Sequence, residues 1–313
     1  MKKTVLVTGV NGFIGSNVAR VLGADCRVVG IGRSAGKPDD SLDGYRQMAL
    51  PDPGLADLLR DLRPDAVIHC AGRGSVPFSI NNPAADFDAG PRLVTHVLDA
   101  MRLAGIRARF FFPSSAAVYG NPKSLPVAET SPLQPISPYG YHKVLSESII
   151  QQYCQLYGQE YVILRVFSCY GEGLAKQLLW DAAVKATEGT LELFGTGEET
   201  RDFIHVHDLA HVVSLLIAQE TANAVLNVAG GRQVSVREIV ELLVRKLELD
   251  VPVHFNGQVR TGDPLRWQAD ISRLKSLGGG TSLSLEEGVQ RFAEWFWAVR
   301  NTQGQGGLRL VGR

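Results

Sequence analysis

The segment TVLVTGVNGFIGS, residues 4 to 16, constrains the fold more than any other stretch of the chain. Its first residues are aliphatic or β-branched and read as a buried strand. Three glycines follow at a spacing of three, Gly9, Gly12 and Gly15, and the residues from 13 onward read as a helix. Glycine is needed where backbone turns tightly and where it must approach a pyrophosphate with no Cβ in the way. The helix N-terminus then contributes unpaired N–H groups and a partial positive charge. Strand, glycine turn and helix in that order point to a dinucleotide-binding unit.

The rest of the first half repeats that alternation. Residues 27–32, 65–72, 109–115 and 161–167 are short apolar runs of the kind that form buried parallel strands. Helical patterns are expected over 13–22, 54–62, 84–103 and 139–157. Such repetition predicts an α/β fold, a Rossmann-like doubly wound parallel sheet with a smaller C-terminal α/β substrate domain. The boundaries expected are 1–167 for the dinucleotide-binding domain, with a return segment near 203–228, then 168–300, then a loosely ordered tail over 301–313. In the second half, a helix capped by Asp208, one over 235–247 with Ser235 and Glu238 at capping-box spacing, and one over 284–299 are expected.

Bulk properties exclude several classes. Lysine plus arginine and aspartate plus glutamate both number 32, so no basic excess suggests a nucleic-acid partner. No apolar run approaches the roughly 18 residues needed to span a membrane, and a cytoplasmic location is expected. The four cysteines share no metal or redox spacing and read as small buried hydrophobes. His205, His207 and His211 read as structural, with no metal expected.

The stretch SPYGYHK, residues 137–143, holds two tyrosines and a lysine. Pro138 suits the first turn of a helix. Tyr139 and Lys143 are then four apart on one face, whereas Tyr141 points roughly the other way. Free tyrosine has a pKa of about 10 and is a poor base at neutral pH. A nearby ammonium, together with a positively charged nicotinamide, favours the phenolate and lowers that value.

The glycine spacing, DAVIHCAG (65–72), SSAAVYG (114–120) and RDFIHVHDLA (201–210) together resemble the extended branch of the short-chain dehydrogenase/reductase superfamily. That branch contains the nucleotide-sugar epimerases, dehydratases and reductases, and the likeness runs over roughly residues 3 to 296. The resemblance implies a catalytic set of Ser115, Tyr139 and Lys143. It implies cofactor contacts from Gly9, Gly12, Phe13, Ile14, Gly15, Arg33, Ser34, Cys70, Ala71, Gly72, Tyr139 and Lys143. It implies substrate contacts from Ser75, Val76, Ser115, Ser168, Arg201, Arg260 and Asp263. The partner implied is a nucleotide-diphosphate sugar, and a homodimer built on helices near 91–103 and 139–157 is expected.

Dehydratases of this branch carry an Asp–Glu pair after the active-site hydroxyl residue, where this chain has Ala116 and Ala117. Alanine moves no proton, so elimination of water is not expected. The reading that remains is an NAD(P)-dependent epimerase acting at C4, with a nucleotide-linked 4-keto-6-deoxysugar reductase using NADPH, or a dinucleotide-binding sensor without turnover, as alternatives. A strand that binds NAD normally ends in an acid for the ribose hydroxyls. Here the position is Gly32, followed by Arg33 and Ser34. Loss of the carboxylate and gain of a guanidinium favour NADP over NAD.

Overall fold

The structure, a computed structural model, describes residues 2–36, 40–258, 262 and 264–305. The chain opens with β1 (Thr4–Thr8), α1 (Phe13–Leu22), β2 (Arg27–Gly32), β3 (Gly44–Gln47), α2 (Leu55–Leu62) and β4 (Ala66–His69). Then come α3 (Val76–Asn81), α4 (Pro83–Asp88), α5 (Pro91–Ala104), β5 (Arg109–Ser115), α6 (Pro138–Tyr157) and β6 (Tyr161–Val166). The second half runs β7 (Ser168–Tyr170), α7 (Gln177–Thr187), β8 (Glu192–Leu193), β9 (Thr200–His205), α8 (Val206–Ala218) and β10 (Ala224–Val228). It ends with β11 (Gln233–Ser235), α9 (Val236–Lys246), β12 (His254–Phe255), α10 (Ser272–Ser276) and α11 (Leu285–Gln305).

Seven strands form one parallel sheet in the order β10-β6-β5-β4-β1-β2-β3. The order reverses between β1 and β4, which opens a crevice at their carboxyl ends. Alternate residues of β1 face opposite layers. Val5 and Val7 pack with Val18 and Leu22 of α1 and with Leu209, Val213 and Leu216 of α8. Leu6 packs with Val94, Val97, Leu98 and Met101 of α5. All are buried, and each such side chain contributes about 1.5–3 kcal/mol. A separate cluster, with Leu179, Ile239, Leu243, Phe292 and Phe296, holds α7, α9 and α11 together.

Four expectations need correction. The helix expected over 84–103 is two, α4 and α5, because the backbone turns at Gly90 (φ −120°, ψ −98°) and Pro91 starts a new first turn. The fold has an edge strand, β3, whose four-residue GYRQ run is too short and polar to stand out. Asp208 does not cap α8: the His205 side chain does, accepting from the His207 N–H, while Asp208 Oδ1 accepts from the N–H and hydroxyl of Ser282. The final helix continues to Gln305, through residues expected to be loose, because 301–305 contain only one helix-breaking residue, Gly304. Ser235 does cap α9, accepting from the Glu238 N–H, but Glu238 pairs with Arg232 instead of closing the box.

Candidate active site

The crevice between β1 and β4 widens into a cavity of about 1020 Å³. Its floor is the glycine turn. Gly9 adopts φ +66°, and a Cβ there would lie 2.6 Å from Ala71 Cα, so only glycine allows the two strand ends to meet. Gly12, Phe13, Ile14 and Gly15 line the cavity at the start of α1, whose N-terminus has no side-chain cap. A close-packed glycine cradle beside an uncapped helix N-terminus fits a dinucleotide pyrophosphate. Cys70, Ala71 and Gly72 form the adjoining wall. Behind them Thr8 and His69 share a buried 2.8 Å hydrogen bond, and Thr8 Oγ1 also accepts from the Ala71 N–H. Burial, then Lys143 and His96, push His69 down to about 3, so it is neutral.

Tyr139 and Lys143 face the cavity from the first turns of α6, with Ser115 opposite at the end of β5. Ser137 caps that helix, accepting from the Gly140 N–H. A Cβ on Gly140 would meet the Ala117 carbonyl at 2.6 Å, so this glycine lets α6 press against the turn after Ser115. The Tyr139 phenol lies in hydrogen-bonding reach of Ser115. Ser115 Oγ also accepts from the Ala117 N–H at 3.2 Å, which fixes its rotamer. Lys143 Nζ donates to the Pro113 carbonyl at 2.8 Å and sits 5.8 Å from the centre of the Tyr139 ring. Tyr141 lies on the exposed face.

In the protein alone Tyr139 is raised above its ordinary value: burial dominates, the Ser115 hydrogen bond opposes it, and Asp86 adds to it. Lys143 is brought down to about 8 by burial, against the pull of Glu147, Cys70 and Asp86. The lysine on its own therefore does not make the phenolate the resting form. Burial likewise raises the Cys70 thiol to about 12.

Other sequence-derived positions fall as follows. Ser75, Val76, Ser168 and Arg201 line the cavity, and Ser75 also caps α3. Arg201 donates to the Thr200 carbonyl and stands over the Trp267 ring. Arg260 and Asp263 lie outside the described residues, but Gly262 between them packs against Val76 and Pro264 lines the cavity. Arg33 and Ser34 lie past the end of β2 and are not part of the cavity wall. The place beside Gly32 is filled: a Cβ there would fall 1.9 Å from Asn11 Oδ1, and the Tyr45 hydroxyl bonds Asn11 and the Ser34 carbonyl.

Sequence reading missed a buried network behind the site. The Ser114 hydroxyl donates to Glu147 Oε1. Glu147 pairs with Arg165 at 2.8 Å, both nearly fully buried. Arg165 donates on to the Tyr119 hydroxyl and the Glu129 carbonyl, and Tyr119 donates to Asn227. Asp86, also buried, meets His142 Nδ1 at 2.6 Å beside Tyr139. The only sequence signal was Glu147 one turn beyond Lys143.

Comparison with known proteins agrees with this geometry. Residues 5–229 match the model of the NAD dependent epimerase/dehydratase family. A UDP-glucose 4-epimerase of Azospirillum brasilense is 35% identical, covering 97% of this chain and 94% of that one. The solved UDP-N-acetylglucosamine 4-epimerase of Methanobrevibacter ruminantium M1, in complex with UDP-N-acetylmuramic acid, superposes with a TM-score of 0.86 at 28% identity, covering 96% of this chain and all of that one. The UDP-glucose 4-epimerase of Brucella ovis in complex with NAD gives 0.85 at 30% identity, covering 94% and 98%.

Proposed function

The chain belongs to the NAD-dependent epimerase/dehydratase family, and from that premise we propose that it is a nucleotide-sugar epimerase acting at C4. The observation that carries the reading is the convergence of Ser115, Tyr139 and Lys143 on one cavity floored by the glycine turn. Gly12 to Gly15, Cys70 to Gly72 and Lys143 are the residues that would hold the nicotinamide dinucleotide. When bound, it takes up and returns the hydrogen of the sugar carbon.

Tyr139 accepts the proton of the C4 hydroxyl and later gives it back. Ser115, held by the Ala117 N–H, bonds the same oxygen and orients it. Lys143, fixed on the Pro113 carbonyl, keeps a positive charge beside the phenol while that proton is away. Between the two half-reactions the keto sugar must present its other face. The cavity lies at the top of the usual ligand-pocket range and has room for that turn. Ala116 and Ala117 are buried and offer no second acid or base, which supports epimerisation over elimination.

Arg201 on β9 is the described residue best placed for the substrate diphosphate. Exposed Arg33 and half-buried Ser34 support a preference for NADP, with Asn11 filling the place of the usual acid. The apolar surface on α4 to α6, including Phe87, Leu103, Tyr141, Leu145 and Leu156, supports a homodimer through that face. Incubation with UDP-sugars, with products assigned by NMR, tests the reading: a C4 epimer is expected, and a product reduced or dehydrated at C4 would overturn it.

A further inference from the structure

Two cations on the cavity wall have no part in the chemistry above. Arg73 leaves the backbone next to Gly74, where a Cβ would stand 3.8 Å from the Tyr139 hydroxyl. Its guanidinium lies 4.0 Å above the Phe78 ring. Lys176 stands just before α7 on the same cavity, its side chain making no capping hydrogen bond, and the residue after it, Gln177, is held at φ +69°. Among the described residues neither cation has an ion-pair partner, although each is in the other's field. Burial, and then Arg73, lower the Lys176 ammonium. Nearby acids are otherwise engaged: Asp86 by His142, and Glu199 by the N–H groups of Thr196 and Gly197. Asp181 and Glu188 lie further along α7 and at its end.

Two like charges facing one space are unfavourable until an anion enters between them. The diphosphate already has Arg201 at the other domain's strand β9, and Arg73 springs from the loop that touches the catalytic hydroxyl. We propose that Arg73 and Lys176 form a subsite for a carboxylate on the sugar, so that the substrate is a nucleotide-linked acidic sugar such as a uronic acid. This rests on the 4-epimerase reading and narrows it. Guanidinium suits a carboxylate through two parallel hydrogen bonds, and Lys176 adds a point charge from the other side.

The test compares UDP-glucuronate with UDP-glucose in the wild type and in Arg73→Gln and Lys176→Gln, with UDP alone as a binding control. The ratio of kcat/KM for the acidic over the neutral sugar is expected to fall by roughly 10- to 100-fold in each variant, as for a lost charged hydrogen bond. An unchanged ratio would overturn the subsite. Equal losses on both sugars and on UDP binding would assign the cations to the diphosphate and overturn the carboxylate. Epimerisation of UDP-glucose with none of UDP-glucuronate would sink this inference and leave the epimerase reading standing. If neither sugar is epimerised, that reading fails, and calorimetric titration of Tyr139→Phe and Tyr139→Phe/Arg73→Gln with UDP-glucuronate still decides the subsite: tighter binding with Arg73 present supports it, equal binding refutes it.

Discussion

Tyr139 and Tyr141 are two residues apart and meet opposite surroundings. Tyr139 shares the cavity with Ser115 and Lys143, while Tyr141 is 58% exposed. Tyr139→Phe is expected to keep fold and cofactor binding and to lose at least ~100-fold in turnover, the low end for acid/base catalysis. Tyr141→Phe should do far less, and equal losses in steady-state assays would contradict the assignment. This distinction was legible in the sequence because helical spacing alone separates i+2 from i+4. The state of the phenol was not, because burial depends on what β4, β5 and α4 bring around it. At the cofactor's other end Arg33 makes a separate claim. Arg33→Ala should weaken NADP(H) by roughly 1.5–3 kcal/mol and NAD(H) much less. Wild-type protein that binds NAD at least as tightly as NADP in fluorescence titrations would refute the preference.

At the scale of elements, α6 holds the chemistry in place from behind. Glu147 joins it to Ser114 on β5 and to Arg165 on β6, so one buried carboxylate ties three elements together. Glu147→Ala leaves Arg165 buried without its partner and should cost about 3–5 kcal/mol in denaturant unfolding. Glu147→Leu with Arg165→Met should recover much of that, and a double variant no more stable than the single one would contradict the account. The partners are 18 residues apart in sequence, with no periodicity linking them, so this tie could not be read ahead of the fold. The main strands could, because each is a continuous apolar run buried on both faces. Gly90 and Pro91 were misread as lying inside one helix, although both residues disfavour a helix interior. The outer face of α4 to α6 carries a further expectation: light scattering should show a dimer, and Leu145→Glu with Leu156→Glu should yield a monomer. A wild-type monomer at working concentration would refute that interface.

At the scale of the whole molecule, the chain leaves the seven-stranded sheet after β6, places α7 in the second cluster, returns through α8 to β10, and then adds α9 and α11 to that cluster. That route brings Arg201 and Ser168 to the same cavity as the glycine turn. A cavity of about 1020 Å³ leaves room for a sugar ring to turn beside the catalytic residues. The architecture therefore suits a reaction in which the hydrogen removed from a carbon is stored and given back to that carbon. The measurement that tests this most directly is a conversion of UDP-sugar deuterated at C4, followed by NMR, without added reduced cofactor. The account predicts a C4 epimer that keeps its deuterium at C4, with flat absorbance at the reduced-nicotinamide band. Deuterium lost to solvent, or product formed only with one-for-one consumption of reduced cofactor, would contradict it.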